Sequence, residues 1–275
     1  MPHTIEELIL SIEYSIMKIY GPIENLISVF ETNEVKAFLC PSIDWEEINR
    51  VGLARFKTSE EANLMVKIIL EKYKQLNRTI VSWFVSQHTT PNNFAEILQV
   101  NNFSKHSDIW GMVRPMNKPL DIKIDSKFTY KEYSLQEMKN FSAEIKKMIE
   151  ASYGMPSGAS DMLASFIESA GDNIVYSSFI AYDNNKPIAF GGLSKLKGTF
   201  IGLLSGSATL PEYRKQGIYS GMLKIRYDKA KKEGLEYLII QGKAETSAPI
   251  AQKNGFEKIC NLDVYVWKAK ANEIS

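Results

Sequence analysis

The stretch SGSATLPEYRKQGIYSGMLKIRYDKAKKEG, residues 205–234, constrains this chain more than any other. A strand-forming run ends near Leu210, Pro211-Glu212-Tyr213 turns the chain, and Arg214-Lys215-Gln216-Gly217 opens a helix. On that helix Ile218, Tyr219, Met222, Leu223, Tyr227 and Ala230 share one arc, while Lys224, Asp228 and Lys231 share the other, so one face packs on a sheet. Arg226 falls inside the apolar arc, where an unpaired charge is costly, and a carboxylate partner is expected for it. The first turn of a helix leaves backbone N–H groups without internal acceptors and carries about half a positive charge. A glycine at that point, flanked by Arg214 and Lys215, suits a phosphate. The spacings GxxxxGK[ST] and GxGxxG are absent, which excludes a Walker loop and a dinucleotide fingerprint.

The rest of the chain supplies strands and helices around this unit. TIEELILSIEYSIMKIYG reads as an amphipathic helix with a Thr4/Glu7 capping box and Ile5, Leu8, Ile9, Ile12, Ile16 and Ile19 on its stripe, stopped by Gly21-Pro22. Residues 23–52 are ambiguous. A second helix starts at Thr58 and Glu61, with Leu64, Met65, Ile68, Ile69, Tyr73 and Leu76 as its buried stripe. Strand 80–85, a helix from Pro91 to Val100 and strand 108–116 follow, then a polar connector over 117–126. Beyond it the pattern predicts a helix over 134–151, a Gly/Pro/Ser loop at 153–160 and a helix over 161–170. Strands 174–183, 186–195 and 199–210 come next, the first two joined at Asn184-Asn185. After the helix at 217–233 come strand 236–242, a short helix at 247–253 and strand 261–267. Alternating strands and helices make the fold class α/β or α+β.

Composition narrows the function. With 33 Lys+Arg against 32 Asp+Glu there is no global pull toward nucleic acid or anionic lipid, yet residues 195–258 hold twelve Lys/Arg against six Asp/Glu. A solvated helix face accounts for much of this excess and an anionic small ligand for the remainder. Cys40 and Cys260 have no His or Cys at ligand spacing, so neither a metal nor a disulfide is expected. His3, His88 and His106 show no partner in sequence. The start of the chain lacks a basic signal segment, no apolar run reaches membrane-spanning length, and a cytoplasmic protein without a membrane partner is expected.

The order strand, Thr209-Leu210-Pro211-Glu212-Tyr213-Arg214-Lys215-Gln216-Gly217, helix, strand, helix, Asn254-Gly255-Phe256 resembles the GNAT superfamily of acetyl-CoA-dependent N-acetyltransferases, whose motif is (V/T)xPxxRxxGxG/A. Tyr219 stands where that motif usually has Gly or Ala. The resemblance covers about 127–268 and implies a GNAT-like mixed sheet. It also implies acetyl-CoA as co-substrate, held through Ala208, Thr209 and Leu210 along the pantetheine arm and through Arg214, Lys215, Gln216, Gly217, Ile218, Tyr219 and Ser220 at the pyrophosphate. IVSWFV, PNNFAEILQV, NNF and DIWGMVRPM parallel EYLIIQG, TSAPIAQK, NGF and NLDVYVW, so residues 1–120 read as a degenerate GNAT-like half and 121–275 as the catalytic domain. The first half has no RxxGxG/A counterpart and is not expected to bind a second CoA.

The implied reaction is direct attack of a primary amine, on a small molecule or a peptide, on the acetyl thioester. It needs a neutral amine, an oxyanion donor and an outlet for the thiolate. A backbone N–H near Thr209 or Leu210 is the candidate oxyanion donor. Where many family members carry a tyrosine acid and an asparagine, this chain has Ala251 and Ala244. Ser247 is the substitute donor, with a helix cap as its alternative role. Glu245 is the nearest candidate base, with a solvated loop carboxylate as the alternative. Tyr153 and Tyr265 are candidates for lining an acceptor pocket, with plain core packing as the other reading. A catalytically silent CoA-binding or partner-binding module is the rival from another class. A nucleic-acid partner has no stacking pattern to support it.

Overall fold

The computed structural model describes residues 3–17 and 20–269. Of these, the residues up to Gly111 together with those from Ile259 onward form one compact unit, and Met112–Lys258 form a second. The mixed α/β architecture expected from the alternation of elements is present in both.

α1 (Ile5–Met17) begins with the expected capping box: Thr4 Oγ1 accepts from the Glu7 amide at 3.2 Å and Glu7 Oε2 accepts from the Thr4 amide at 2.8 Å. Leu8, Ile9, Ile12 and Ile16 are buried, but Ile5 is 66% exposed, and Ile19 lies outside the described residues. The ambiguous segment resolves into three short strands, β1 (Ser28–Glu31), β2 (Lys36–Leu39) and β3 (Arg50–Gly52). In α2 (Ser59–Gln75), capped by Thr58, the buried stripe is Ala62, Val66, Ile69, Leu70 and Tyr73. Leu64 and Ile68, expected inside, are 61% and 39% exposed, because small Ala62 and not Leu64 sets the inward face. β4 (Ile80–Ser86), α3 (Phe94–Val100) and β5 (Phe103–Pro115) follow.

β6 (Phe128–Ser134) was not expected, since its FTYKEYS sequence is too polar to read as a strand. The expected helix over 134–151 is two: α4 (Leu135–Met138) under the Ser134/Glu137 capping box, and α5 (Ala143–Tyr153), for which Ser142 starts a new cap. α6 (Leu163–Glu168) lies after a 3-10 turn at Ala159–Met162. β7 (Ile174–Asp183), β8 (Lys186–Leu196), β9 (Ile201–Thr209), α7 (Ile218–Lys232), β10 (Tyr237–Lys243), α8 (Ser247–Lys253) and β11 (Glu257–Lys268) complete the order.

In the first unit β1–β2 and β2–β3 pair antiparallel, β3–β4 parallel, and β4–β11 antiparallel with Trp83 opposite Tyr265. Its core gathers Tyr73, Trp83, Phe94, Phe103, Tyr265 and Trp267, with the Trp83 ring 5.3 Å from Phe94 and 6.0 Å from Phe103. In the second unit β6, β7, β8 and β9 pair antiparallel in that order and β9 pairs β10 in parallel. Both cysteines are buried, and neither forms a disulfide. Among the described residues no helix is long and apolar enough to cross a membrane, and no group of His, Cys, Asp and Glu could hold a metal ion.

Candidate active site

The parallel ladder between β9 and β10 runs from Ile201 opposite Tyr237 to Leu204 opposite Ile240 and stops there, although β9 continues to Thr209 and β10 to Lys243. Beyond Leu204 the β9 backbone is paired on its β8 side alone, where Gly192 faces Ser205 and Phe190 faces Ala208. That register contains one extra residue on β9, a bulge at which Gly206 has φ +52°. A free strand edge beside a bulge can accept an extended chain carrying amides, which is what a pantetheine arm is. The Leu210 amide is not available to an oxyanion, because it donates to the Ile188 carbonyl at 3.0 Å.

The chain then turns through Pro211–Tyr213. Lys215 at φ +64° and Gly217 at φ +78° are both left-handed, the conformation from which anion-binding nests of backbone amides are built. The first amide of α7 to find a helical acceptor is that of Gly221, which donates to the Gly217 carbonyl at 2.9 Å, and the amides from Lys215 to Ser220 precede it. Residues 214–217 are exposed, and nothing lies within 4 Å of where a β-carbon on Gly217 would stand. The cradle is therefore open and chemically suited to a pyrophosphate. Tyr219 is half-buried, and burial pushes its hydroxyl pKa up against the opposing pull of the Arg226 guanidinium.

Arg214 is tied into the chain by two hydrogen bonds. Its Nε donates to the Thr209 carbonyl at 3.2 Å and its Nη2 to the Ser152 carbonyl at 3.4 Å, so it braces the end of β9 to the end of α5. Gln216 Nε2 donates to the Glu212 carbonyl at 3.1 Å. Among the described residues Arg226 has no carboxylate partner, contrary to expectation. Fully buried, it donates from Nε to the Met222 carbonyl and from Nη1 to the Gly192 carbonyl, at 3.1 and 3.2 Å. Burial lowers its pKa, and Tyr219, Tyr153 and Tyr176 oppose that fall.

Glu245 is exposed on the β10–α8 loop. The Ser247 hydroxyl accepts from the Lys243 amide at 2.9 Å, closing the turn before α8, and Thr246 occupies the cap position. Ala251 is buried and Ala244 half-buried, and neither carries a proton donor. Tyr153 is brought to the motif strand, with its hydroxyl 2.6 Å from the place of a β-carbon on Gly206. Tyr265 lies instead in the core of the first unit. Sequence reasoning missed Tyr176 and the Gly191-Gly192 pair, where a β-carbon would meet Arg226 Cζ at 3.2 Å or the Tyr176 hydroxyl at 2.6 Å. Two adjacent glycines inside a strand were the available signal of such close approach.

Comparison with known proteins agrees with this geometry. Residues 143–256 match the model of the acetyltransferase (GNAT) family. A GCN5-related N-acetyltransferase from Kribbella flavida superposes with a TM-score of 0.64 at 13% identity, over 89% of this chain and 91% of that one. A tandem GNAT protein from the clavulanic acid biosynthesis pathway gives 0.62 at 9% identity, over 98% and 90%. A GCN5-related N-acetyltransferase from Sphaerobacter thermophilus gives 0.61 at 13%, over 89% and 82%. A search of the curated proteins finds no match. Sequence motif, family match and superposition converge: residues 143–256 match the acetyltransferase (GNAT) family model, and the fold is the one these N-acetyltransferase structures share.

Proposed function

We propose that the chain is an acetyl-CoA-dependent N-acetyltransferase acting on a primary amine of a small molecule or peptide by direct attack in a ternary complex. The observation that carries the reading is the open nest at 215–217 leading into α7, beside a β9 edge that β10 leaves after Leu204. The amides from Lys215 to Ser220 would hold the pyrophosphate, and the backbone of Ala208 and Thr209 the pantetheine arm, with Leu210 packing below it. Acetyl-CoA supplies the activated thioester. The chain fixes it against the acceptor and excludes water, which is worth several kcal/mol of barrier. A thiol with pKa near ~8.5 leaves without full protonation, so Ala251 in place of a tyrosine acid weakens the site without disabling it. In descent we read two halves, 1–120 and 121–275, with only the second binding CoA.

Calorimetric titration with acetyl-CoA, with desulfo-CoA and ATP as controls, tests the reading. Micromolar affinity for acetyl-CoA, weakened with ATP, is the expected result, and heatless titration would sink it. The silent-module reading rests on Ala244 and Ala251, and sustained turnover of any amine would remove it.

A further inference from the structure

Tyr153 closes α5, and its hydroxyl stands over Gly206, the left-handed residue of the β9 bulge. With phosphates at 215–220 and the arm running back along Thr209 and Ala208, the acyl end arrives beside that bulge; this step rests on the placement proposed above. The groups expected to manage the proton are elsewhere occupied or absent: Ala251 has no hydroxyl, Glu245 is exposed on its loop, and Ser247 holds the Lys243 amide.

Behind the same strands lies an uncompensated charge. Arg226 is wholly buried, bonded only to two carbonyls, and its Nη2 has no hydrogen-bond partner among the described residues. Its guanidinium packs on Gly191, which the β8–β9 register leaves opposite the bulge that holds Gly206, and Tyr219, Tyr153 and Tyr176 are the groups whose charge opposes the fall in its pKa. A charge held in a poorly polarisable interior acts far more strongly on nearby oxygens than one in water.

We propose that Tyr153 is the catalytic proton carrier of the transfer and that Arg226 is the positioning residue whose charge steadies it. As the amine nitrogen bonds to the acyl carbon and the carbon–sulfur bond breaks, the Tyr153 phenol gives its proton to the thiolate sulfur. It then takes one from the nitrogen, so the N–H proton ends as S–H and the phenol is restored. Arg226 stabilises the phenol oxygen while it is short of a proton.

The test follows thiol release from acetyl-CoA with hydroxylamine as a surrogate acceptor, between pH 5.5 and 9.5, alongside calorimetric affinity for acetyl-CoA. Tyr153→Phe is expected to lower kcat by about a hundredfold at unchanged affinity. Arg226→Met is expected to lower kcat and move the alkaline turn of the pH profile upward, and Arg226→Lys to restore both in large part. A Tyr153→Phe rate within about threefold of wild type, in a chain that binds acetyl-CoA, overturns this proposal alone. Acetyl-CoA binding without any thiol release by the wild type overturns it too, and no binding at all overturns the placement and the proposal together. An Arg226→Met profile that does not move overturns the part given to Arg226.

Discussion

The hydroxyl of Tyr130, on β6, occupies the space that a side chain at Gly221 would fill on the inner face of α7. The strand that looks least like a strand therefore fixes a glycine in the helix that looks most like a phosphate-binding one.

Gly221→Ala should destabilise the second unit. Alanine in place of glycine gains about 1 kcal/mol of helix propensity, but overlap with a packed ring costs about 1–3 kcal/mol. Denaturant unfolding is expected to show a net loss, partly recovered when Tyr130→Phe is added. Unchanged stability would mean that β6 yields without cost.

Gly217→Asp should weaken acetyl-CoA binding by at least about tenfold, or about 1.4 kcal/mol. Asp tolerates the left-handed conformation better than most residues, and nothing crowds position 217, so folding is expected to be little affected. The loss is read by calorimetry, with thermal unfolding as the control. Equal affinity would move the phosphates away from the nest.

The strand, turn and helix at 199–233 were legible because local chemistry decides them: β-branched and small residues, Pro211, then Gly217 before an apolar arc. The strands in 23–52 were not, since three or four residues hold too few alternations to show a period. A helix was read straight through Ser142 because its stripe continues, while the cap that starts α5 is one hydroxyl bonded to the Ile145 amide. At the site, the cradle residues were readable and their partners were not. That Tyr153 reaches Gly206, or that Tyr265 packs on the first unit's core, depends on contacts between elements far apart in sequence. Arg226 was misread for the same reason: the carbonyls of Met222 and Gly192 bond it where a carboxylate was expected, and they leave its charge uncompensated.

His88 joins the loop after β4 to α1 through both ring nitrogens, Nδ1 to Glu13 and Nε2 to Glu6, each at 2.8 Å. Glu13 is buried and also bound by Arg55 at 3.0 Å. Gln offers a single donor group, so His88→Gln should cost the first unit about 1–3 kcal/mol. Hydrogen exchange should locate the loss in α1, and unaltered protection there would show the link to be idle.

Glu132 on β6 accepts from Lys229 at 2.7 Å and from the Ser177 hydroxyl at 2.8 Å. Burial alone would raise its carboxyl; the bonds from Lys229 and Ser177 outweigh it and hold the group below the usual carboxylate range. A depressed carboxyl contributes stability that is present above its unfolded pKa and lost as pH falls through the folded one. Glu132→Gln should therefore cost about 0.5 kcal/mol at neutral pH, and the cost should shrink as pH falls below the usual carboxylate range. A difference from wild type that persists in acid would show that charge is not its source.

The pairing of β4 with β11 sets an order on biosynthesis. Residues up to Gly111 leave the ribosome with β4 lacking its neighbour, and with Trp83 without the Tyr265 and Trp267 that later cover it. An open edge and an apolar face must wait until residues 262–268 have been translated, the interval in which nascent chains associate wrongly. A fragment ending before β11 would meet the same hazard permanently, so the first unit is a product of the whole chain.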